Sequence, residues 1–429
     1  MAEFKTVRGM RDFLPEEAKI MKYIEGKARR VAELYGYKEI ITPVVEPYEL
    51  LAAKAGEEIR SRMFTFKDLG DRTVALRPEF TASVARLVTS TLRNEPKPLR
   101  LLSIGSVYRY DEPQRGRYRE FWQSNFELMG SDKPEADAEI LMLTNSLMEA
   151  VGLKNYVFKI GHVGVLRSIM NREGVNEKTQ NMAMQLLDKG QYEDAFKTVE
   201  DAGVSDKGMA TLRRLAELKG SEVFEIIEHV KTCVKDYEEA LEDVENLSEI
   251  LRLTEDSGCG IKFTLDAGFA RGLEYYTGMI FEVYVPEQNI ALGGGGRYDK
   301  LVEVFGGEPT PAVGVAHGID RIMLAMQEQK IPLPPEEQIK VMVIPTKRKL
   351  LGKALAISRM LRDAEILTEV EVMGRKMAKA LEDADRKGMN YAIIVGEREI
   401  RENAVVIKNL ATRRQSIVKI GDIVSEIKG

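Results

Sequence analysis

The residues best equipped for chemistry lie between Ser106 and Gly130, SVYRYDEPQRGRYREFWQSNFELMG, where Arg109, Arg115, Arg117 and Arg119 stand among aromatic residues. Each guanidinium offers a planar fork of donors that matches phosphate or carboxylate. Arginines at strand ends and in a loop fit a polyanion, although a solvated hairpin tip has the same composition. Beyond the loop, Gln123, Asn125 and Glu127 recur at every second position among Phe, Trp and Leu. A polar face inside an aromatic surround is the pattern of a ligand pocket. Further along, Arg271, Glu274, Tyr275 and Tyr276 occupy a polar break between two apolar runs, and Arg321 follows GVAHGID. Between them Gly293 to Gly296 remove every Cβ, so that a neighbour or ligand can approach the backbone. Arg297 and Tyr298 stand where a Walker loop needs Lys and Ser/Thr, and the spacing is not that of a dinucleotide fingerprint.

These groups need rigid elements to hold them. Period-two alternation over Ile104–Tyr110 and Phe121–Leu128 predicts two strands around the arginine-bearing loop, which contains Pro113 and Gly116. Apolar residues at helical spacing predict a helix over Pro15–Tyr35, stopped at Gly36. The following YKEIITPVVEPYELL is expected to be extended and broken by Pro43 and Pro47, as at an edge or a dimer contact. Two short strands are expected around Gly70-Asp71. In LRPEFTASVARLV, Pro78 can open a helix and place Glu79 in its positively polarised first turn, where a carboxylate can also be no more than a dipole partner.

Strand texture gives way from 164 to 257 to helically spaced apolar residues, many charges and glycine breaks, a pattern expected of an inserted helical domain. It separates a first core segment, 1–163, from a second, 258–326. The proline-rich 327–337 is expected to be a linker to a small α/β domain at 338–429. That last module carries 19 Lys and Arg against 12 Asp and Glu, while the whole chain carries a net charge of −5. The balance argues against coating nucleic acid by bulk charge and leaves room for a local polyanion contact.

Composition narrows the remaining possibilities. A chain of 429 residues, 44% hydrophobic, can build two or three ordinary cores. No apolar run approaches the roughly 18 residues that span a bilayer, and the first residues show no export signal, so a cytoplasmic location without membrane attachment is expected. Cys233 and Cys259 form neither a disulfide framework nor a zinc motif. His162, His229 and His317 are too scattered for a metal cluster and are expected to be packing or surface residues.

The series TPVVEPYELL, LRPEFT, YRYDEPQRGRYREFWQ, RGLEYY, GGGGRYD and GVAHGIDR resembles the histidyl-tRNA synthetases, class II aminoacyl-tRNA synthetases, along nearly the whole chain. RGLEYY and GGGGRYD are specific to that family and its close paralogues. The resemblance implies an α+β fold: an antiparallel six-stranded catalytic sheet with a helical insertion, followed by an α/β anticodon-binding domain. It also implies a homodimer through TPVVEP and, as partners, L-histidine, ATP with Mg2+, and tRNA-His. Carried onto this sequence, it makes Arg109 the contact to the α-phosphate and the substrate carboxylate, with Arg271 on the far side of that phosphate. Arg117 and Arg321 fall on the γ-phosphate side. Glu79, Thr81 and Gln123 match the holders of the α-amino group; Glu127, Tyr275 and Tyr276 surround the imidazole. The glycine run floors the pocket, and Gln114 is placed near the tRNA acceptor end. The chain departs from the pattern at Asp111 and Glu112, where the family has Glu then Arg. Asp111 can still accept from the adenine amino group, with one carbon less reach, whereas Glu112 reverses a charge.

Those residue types suit the implied reaction. Attack of a carboxylate on a phosphate brings two anions together, so fixed cations lower the barrier and no general base is required. A carboxylate and phenols around an imidazole reject analogues without ring nitrogens. The rival expectation is a paralogue that binds histidine as the regulatory subunit of an ATP phosphoribosyltransferase.

Overall fold

The computed structural model describes residues 4–53, 55–271, 273–288, 290–335 and 338–429. Two compact units divide the chain, Met1–Leu333 and Pro334–Gly429.

The first unit opens with α1 (Pro15–Leu34), whose Pro15 and two glutamates suit a helix start and whose buried stripe is Met21, Ile24, Ala28, Val31 and Ala32. Gly36 ends it at φ +77°. β1 (Lys38–Glu39) and β2 (Val45–Pro47) follow, then α2 (Tyr48–Ala52) and α3 (Gly56–Ser61). Tyr48 to Leu51, expected to be extended, is helical because Pro47 sits at the N-cap and only Leu51 needs to be buried. β3 (Thr65–Lys67) and β4 (Thr73–Leu76) form the expected hairpin, with Asp71 at φ +58°. The next helix, α4 (Thr81–Thr89), starts later than Pro78 predicted. Glu79 therefore precedes it and caps it from outside, accepting from the backbone N–H groups of Thr81 (2.8 Å) and Ala82 (3.0 Å).

β5 (Leu99–Tyr108) and β6 (Glu120–Met129) are the predicted strands, longer at the start of β5 than the alternation indicated. Then come α5 (Pro134–Ala150), β7 (Val157–His162), and the helices α6 (Val163–Arg172), α7 (Glu177–Asp188), α8 (Tyr192–Glu200) and α9 (Asp206–Glu217). β8 (Lys219–Gly220) precedes α10 (Val223–Val234) and α11 (Glu238–Asp256). β9 (Phe263–Asp266), β10 (Met279–Val285), β11 (Ile290–Arg297), α12 (Leu301–Val304), β12 (Ala312–Gly318) and α13 (Ile319–Glu328) complete the unit. α13 runs into the stretch expected to be linker. Glu336 and Glu337 of that stretch lie outside the described residues.

One sheet organises the unit, in the order β1-β5-β6-β12-β11-β10-β7-β9-β8. From β5 to β7 all neighbours are antiparallel, giving the implied six-stranded run inside a wider sheet. β1 adds to β5 in parallel, and β9 adds to β7 in parallel, so the helices between β7 and β9 are a long crossover connection. On one face of the sheet α1, α5 and α13 pack over Phe126, Leu128, Val313 and Val315, and α11 packs against α5 and β7. Buried residues of α6 to α11 continue the same core.

The second unit is a five-stranded sheet, β13 (Lys340–Pro345), β14 (Leu367–Val370), β15 (Tyr391–Val395), β16 (Ala404–Asn409) and β17 (Gln415–Lys419), in the order β14-β13-β15-β16-β17. The first three are parallel and the rest antiparallel. Alternation along β13 feeds two cores. Val341 and Val343 face the helix Leu351–Asp363, while Met342 and Ile344 face the helix Met377–Arg386.

Candidate active site

The sheet face away from α5 and α13 carries a cavity of about 540 Å³. Period-two geometry aims Gln123, Asn125 and Glu127 of β6 into it, while Phe126 and Leu128 go to the core. β6 is held in register by β5, Gln123 opposite Gly105 and Glu127 opposite Leu101. β11 brings Gly293 and Gly294 to the cavity wall from the sheet centre, where they pair with Val283 and Glu282 on one side and His317 and Ala316 on the other. A side chain on Gly314 of β12 would overlap the Glu127 carboxylate, so glycine there is what admits Glu127.

Four cations line one end. Arg109, just past β5, donates from Nε to the Pro78 carbonyl (2.9 Å), with its guanidinium 5.5 Å from the Phe121 ring centroid. Arg321, in the first turn of α13, donates to the carbonyls of Gly116 (3.1 Å) and Ala291 (3.0 Å). Arg271 lies 3.5 Å from the Glu282 carboxylate, and Arg117 lies 3.8 Å from Asp111. Burial lowers the Arg321 pKa, and the charges of Arg117 and Arg109 lower it further. Burial likewise lowers that of Arg109, against the pull of Asp111 and Glu79. For Arg271 burial is outweighed by the Tyr276 phenol and the Glu282 carboxylate, and the net shift is upward. Cations that burden one another and rest on neutral carbonyls form a preorganised anion site.

The other end is built from acids and phenols. Glu127, 1% exposed, accepts from Asn125 Nδ2 (2.7 Å) and from the Tyr298 hydroxyl. Burial pushes its pKa up to about 7, held back by those hydrogen bonds. The Tyr275 ring centroid is 4.9 Å from Tyr276 and 5.5 Å from Tyr298. Desolvation pushes Tyr276 up to about 12 and the other two well above their ordinary value, so all three remain donors. Between the two ends, Thr81 and the capping carboxylate Glu79 also line the wall. Among the described residues the buried Gln123 Oε1 has no hydrogen-bond partner, which leaves an acceptor free for a ligand's donor.

The structure thus brings Glu79, Thr81, Arg109, Asp111, Arg117, Gln123, Glu127, Arg271, Tyr275, Tyr276 and Arg321 to one cavity. Gln114 is outside its wall, in the loop, where its backbone pairs with that of Arg117. Gly272 of RGLEYY is outside the described residues. Arg115 and Arg119 leave the cluster: Arg115 pairs with Glu328, and Arg119 donates to the Asp111 carbonyl (3.0 Å) and stacks on Tyr110. Asp111 is buried and meets Arg62 Nη1 at 3.0 Å, whereas Glu112 is exposed and pairs with Arg8. His162 and His317 are buried and neutral, their pKa values lowered by burial to about 4 and about 3, and His229 is exposed. Sequence reasoning missed Tyr298 and Asp320. The signal for Tyr298 was available, since it follows Gly294 and Gly296 at period two in β11's extension.

Residues 9–322 match the family model for histidyl-tRNA synthetase, and residues 340–429 match that for an anticodon binding domain. This chain belongs to the histidyl-tRNA synthetase family. It is 42% identical to a histidine–tRNA ligase of Methanocaldococcus jannaschii over 98% of each chain. It is 38% identical to one of Saccharolobus solfataricus, over 100% of this chain and 99% of the relative. Among solved structures, apo histidyl-tRNA synthetase of S. aureus superposes with a TM-score of 0.70 at 27% identity, covering 99% of this chain and 100% of that one. A Bacillus halodurans protein described as an ATP phosphoribosyltransferase regulatory subunit/histidyl-tRNA synthetase superposes with a TM-score of 0.77, also at 27% identity, covering 92% and 99%. From the two motifs RGLEYY and GGGGRYD, the cavity wall takes Arg271, Leu273, Tyr275 and Tyr276 and Gly293, Gly294 and Tyr298.

Proposed function

We infer that this chain is an aminoacyl-tRNA ligase that activates L-histidine with ATP and transfers it to the 3′ end of tRNA-His. The supporting observation is that a cationic end and an acid–phenol end share one cavity, in a chain matched end to end by histidine–tRNA ligases. In the first step a histidine carboxylate oxygen bonds to the α-phosphorus as the bond to the β-phosphate bridge breaks, and pyrophosphate leaves. Arg109 and Arg271 take the charge that builds on the α-phosphoryl oxygens and hold the carboxylate in line. Arg117 and Arg321 take the γ-phosphate side. Gln123 Oε1 and Glu79 receive the α-amino group, and Glu127, Tyr275, Tyr276 and Tyr298 read the imidazole. Asp111 serves adenine through whichever oxygen Arg62 leaves free. In the second step the terminal ribose hydroxyl attacks the activated carbonyl and AMP departs.

Among the described residues no group of three or more His, Cys, Asp or Glu side chains could cage a metal. Mg2+ would enter with ATP, and as a hard, strongly hydrated cation it would offset charge on the phosphate oxygens. Gln114, exposed on the loop, contacts the acceptor end, and 338–429 reads the anticodon. We assign 164–257 as an insertion between core segments 1–163 and 258–326. A homodimer forms through TPVVEP, where Val44 and Val45 are exposed and the preceding Ile41 is 93% exposed. A cytosolic location suits the free thiols Cys233 and Cys259. The regulatory-subunit alternative is disfavoured by the anticodon-binding module. The test is exchange of labelled pyrophosphate into ATP with each standard amino acid in turn, without tRNA. Exchange with histidine alone is expected; exchange with another amino acid, or none, overturns the assignment.

A further inference from the structure

The segment ahead of α1 is strapped across the arginine-bearing loop. The Gly9 carbonyl accepts from the Arg119 backbone (2.8 Å), Arg8 pairs with Glu112 (2.8 Å), and Phe13 meets Trp122 edge-on with centroids 5.3 Å apart. At its centre Arg11 lies with its guanidinium carbon 3.7 Å from the Tyr118 ring centroid and 4.5 Å from that of Phe13, and it pairs with Asp320. Asp320 is 3% exposed, occupies the second position of α13 and accepts the Trp122 backbone N–H at 2.6 Å. One side chain therefore joins the loop, β6 and α13.

Tyr118 and Asp320 both line the cavity, and each is the sequence neighbour of a cation there, Arg117 and Arg321. An unneutralised Asp320 carboxylate in that wall would repel phosphate and draw on Arg321, whose hydrogen bonds among the described residues go to the Gly116 and Ala291 carbonyls. Arg11 supplies the countercharge from outside the cluster, so none of the cavity's own cations is consumed. Its stacking on Tyr118 fixes the loop at a set distance from α13. We propose that Arg11 is a positioning residue that sets the Arg117–Arg321 pair for the triphosphate, a role that rests on the ATP-dependent reading above.

The test compares the parent with Arg11→Met, Arg11→Lys and Arg11→Met/Asp320→Asn. It uses histidine-dependent pyrophosphate exchange and, independently, MgATP affinity by calorimetry. Arg11→Met is expected to raise the KM for ATP about tenfold or more while the KM for histidine stays within about twofold. Arg11→Lys, which keeps the charge and loses the planar stack, should fall between parent and Met, and it carries the test if the Met variant does not fold. Removing the Asp320 charge as well should recover part of the loss. Equal rises in both KM values, a lowered melting temperature with an unchanged KM for ATP, or strictly additive losses in the double variant would overturn the proposal. If the parent itself shows no histidine-dependent exchange, the functional assignment falls, and the calorimetric comparison of Arg11→Met with the parent still decides the role of Arg11.

Discussion

At one end of the cavity Glu127 meets Asn125 and Tyr298 inside the protein, whereas at the other Arg109 and Arg321 rest on backbone carbonyls and face further cations. The first end satisfies its polar groups internally and discriminates through which of them hold protons. The second holds more cations than nearby carboxylates in a fixed geometry, which suits an incoming anion. Under the proposed function, selectivity falls to the first end and rate to the second, and substitutions at the two ends should separate them.

The largest separation is expected from Arg271→Ala, which removes a cation from the charged end and leaves all three phenols in place. Adenylation should fall about a thousandfold or more, while histidine binding stays within about tenfold. Pyrophosphate exchange and calorimetry read the two, and an unaffected exchange rate would remove Arg271 from the mechanism. A smaller effect is expected at the glycines beneath it. A methyl on Gly294 would overlap the tip of the Arg271 guanidinium and lie 3.0 Å from the Phe281 carbonyl. Gly294→Ala should therefore fold, with a melting temperature near that of the parent, and lose about a hundredfold in exchange through a displaced arginine. At Gly295 the same methyl would run into the backbone carbonyl of Gly314, which cannot swing aside. Gly295→Ala should instead fail in thermal melts. Equal behaviour of the two alanines would mean that β11 yields as a unit.

The smallest effect sharpens the other end. Burial raises the Glu127 pKa from its ordinary 4.5 to about 7, so the folded chain binds this proton more tightly than the unfolded one. The stability this contributes is complete below about pH 4.5 and lost as pH rises through about 7. Glu127→Gln, neutral throughout, should gain on the parent between pH 5 and 8 by on the order of 3 kcal/mol at most, read as a widening difference in denaturation midpoint. A difference that stays flat with pH would show that Glu127 titrates as an ordinary carboxylate.

How much of this could be read beforehand depends on whether a signal was local. The alternation that predicted β5 and β6 also placed Gln123, Asn125 and Glu127 on one face, and the structure keeps them there. Glu79 was found next to a helix start, but its capping geometry depends on the chain turning at Phe80, which Pro78 did not reveal. β11 was legible only as a place of close approach, because a run of glycines has little strand propensity of its own. It becomes a strand through the ladders of β10 and β12 on either side. Arg11 and Asp320 lie too far apart in sequence for any periodic pattern to join them. Among the arginines near Gly116 composition could not sort the inward Arg109 and Arg117 from Arg115 and Arg119, since their directions follow from Glu328, Tyr110 and the Asp111 carbonyl.

The parallel pairing of β7 with β9 has a bearing on how such a chain can be remodelled. Phe158 stands beside Phe263 in that ladder, so the stretch from α6 to α11 leaves after His162 and returns at the opposite end of the neighbouring strand, about 13 Å back at roughly 3.3 Å per residue. Anything grafted there must span the length of a strand and replace the buried residues that this stretch adds to the shared core, which sets a minimum size for a module exchanged at the crossover. Its freedom has a boundary at Asp188 and Lys189, where α7 ends against the cavity mouth. Those two positions are where a transplanted module would be felt by the substrates.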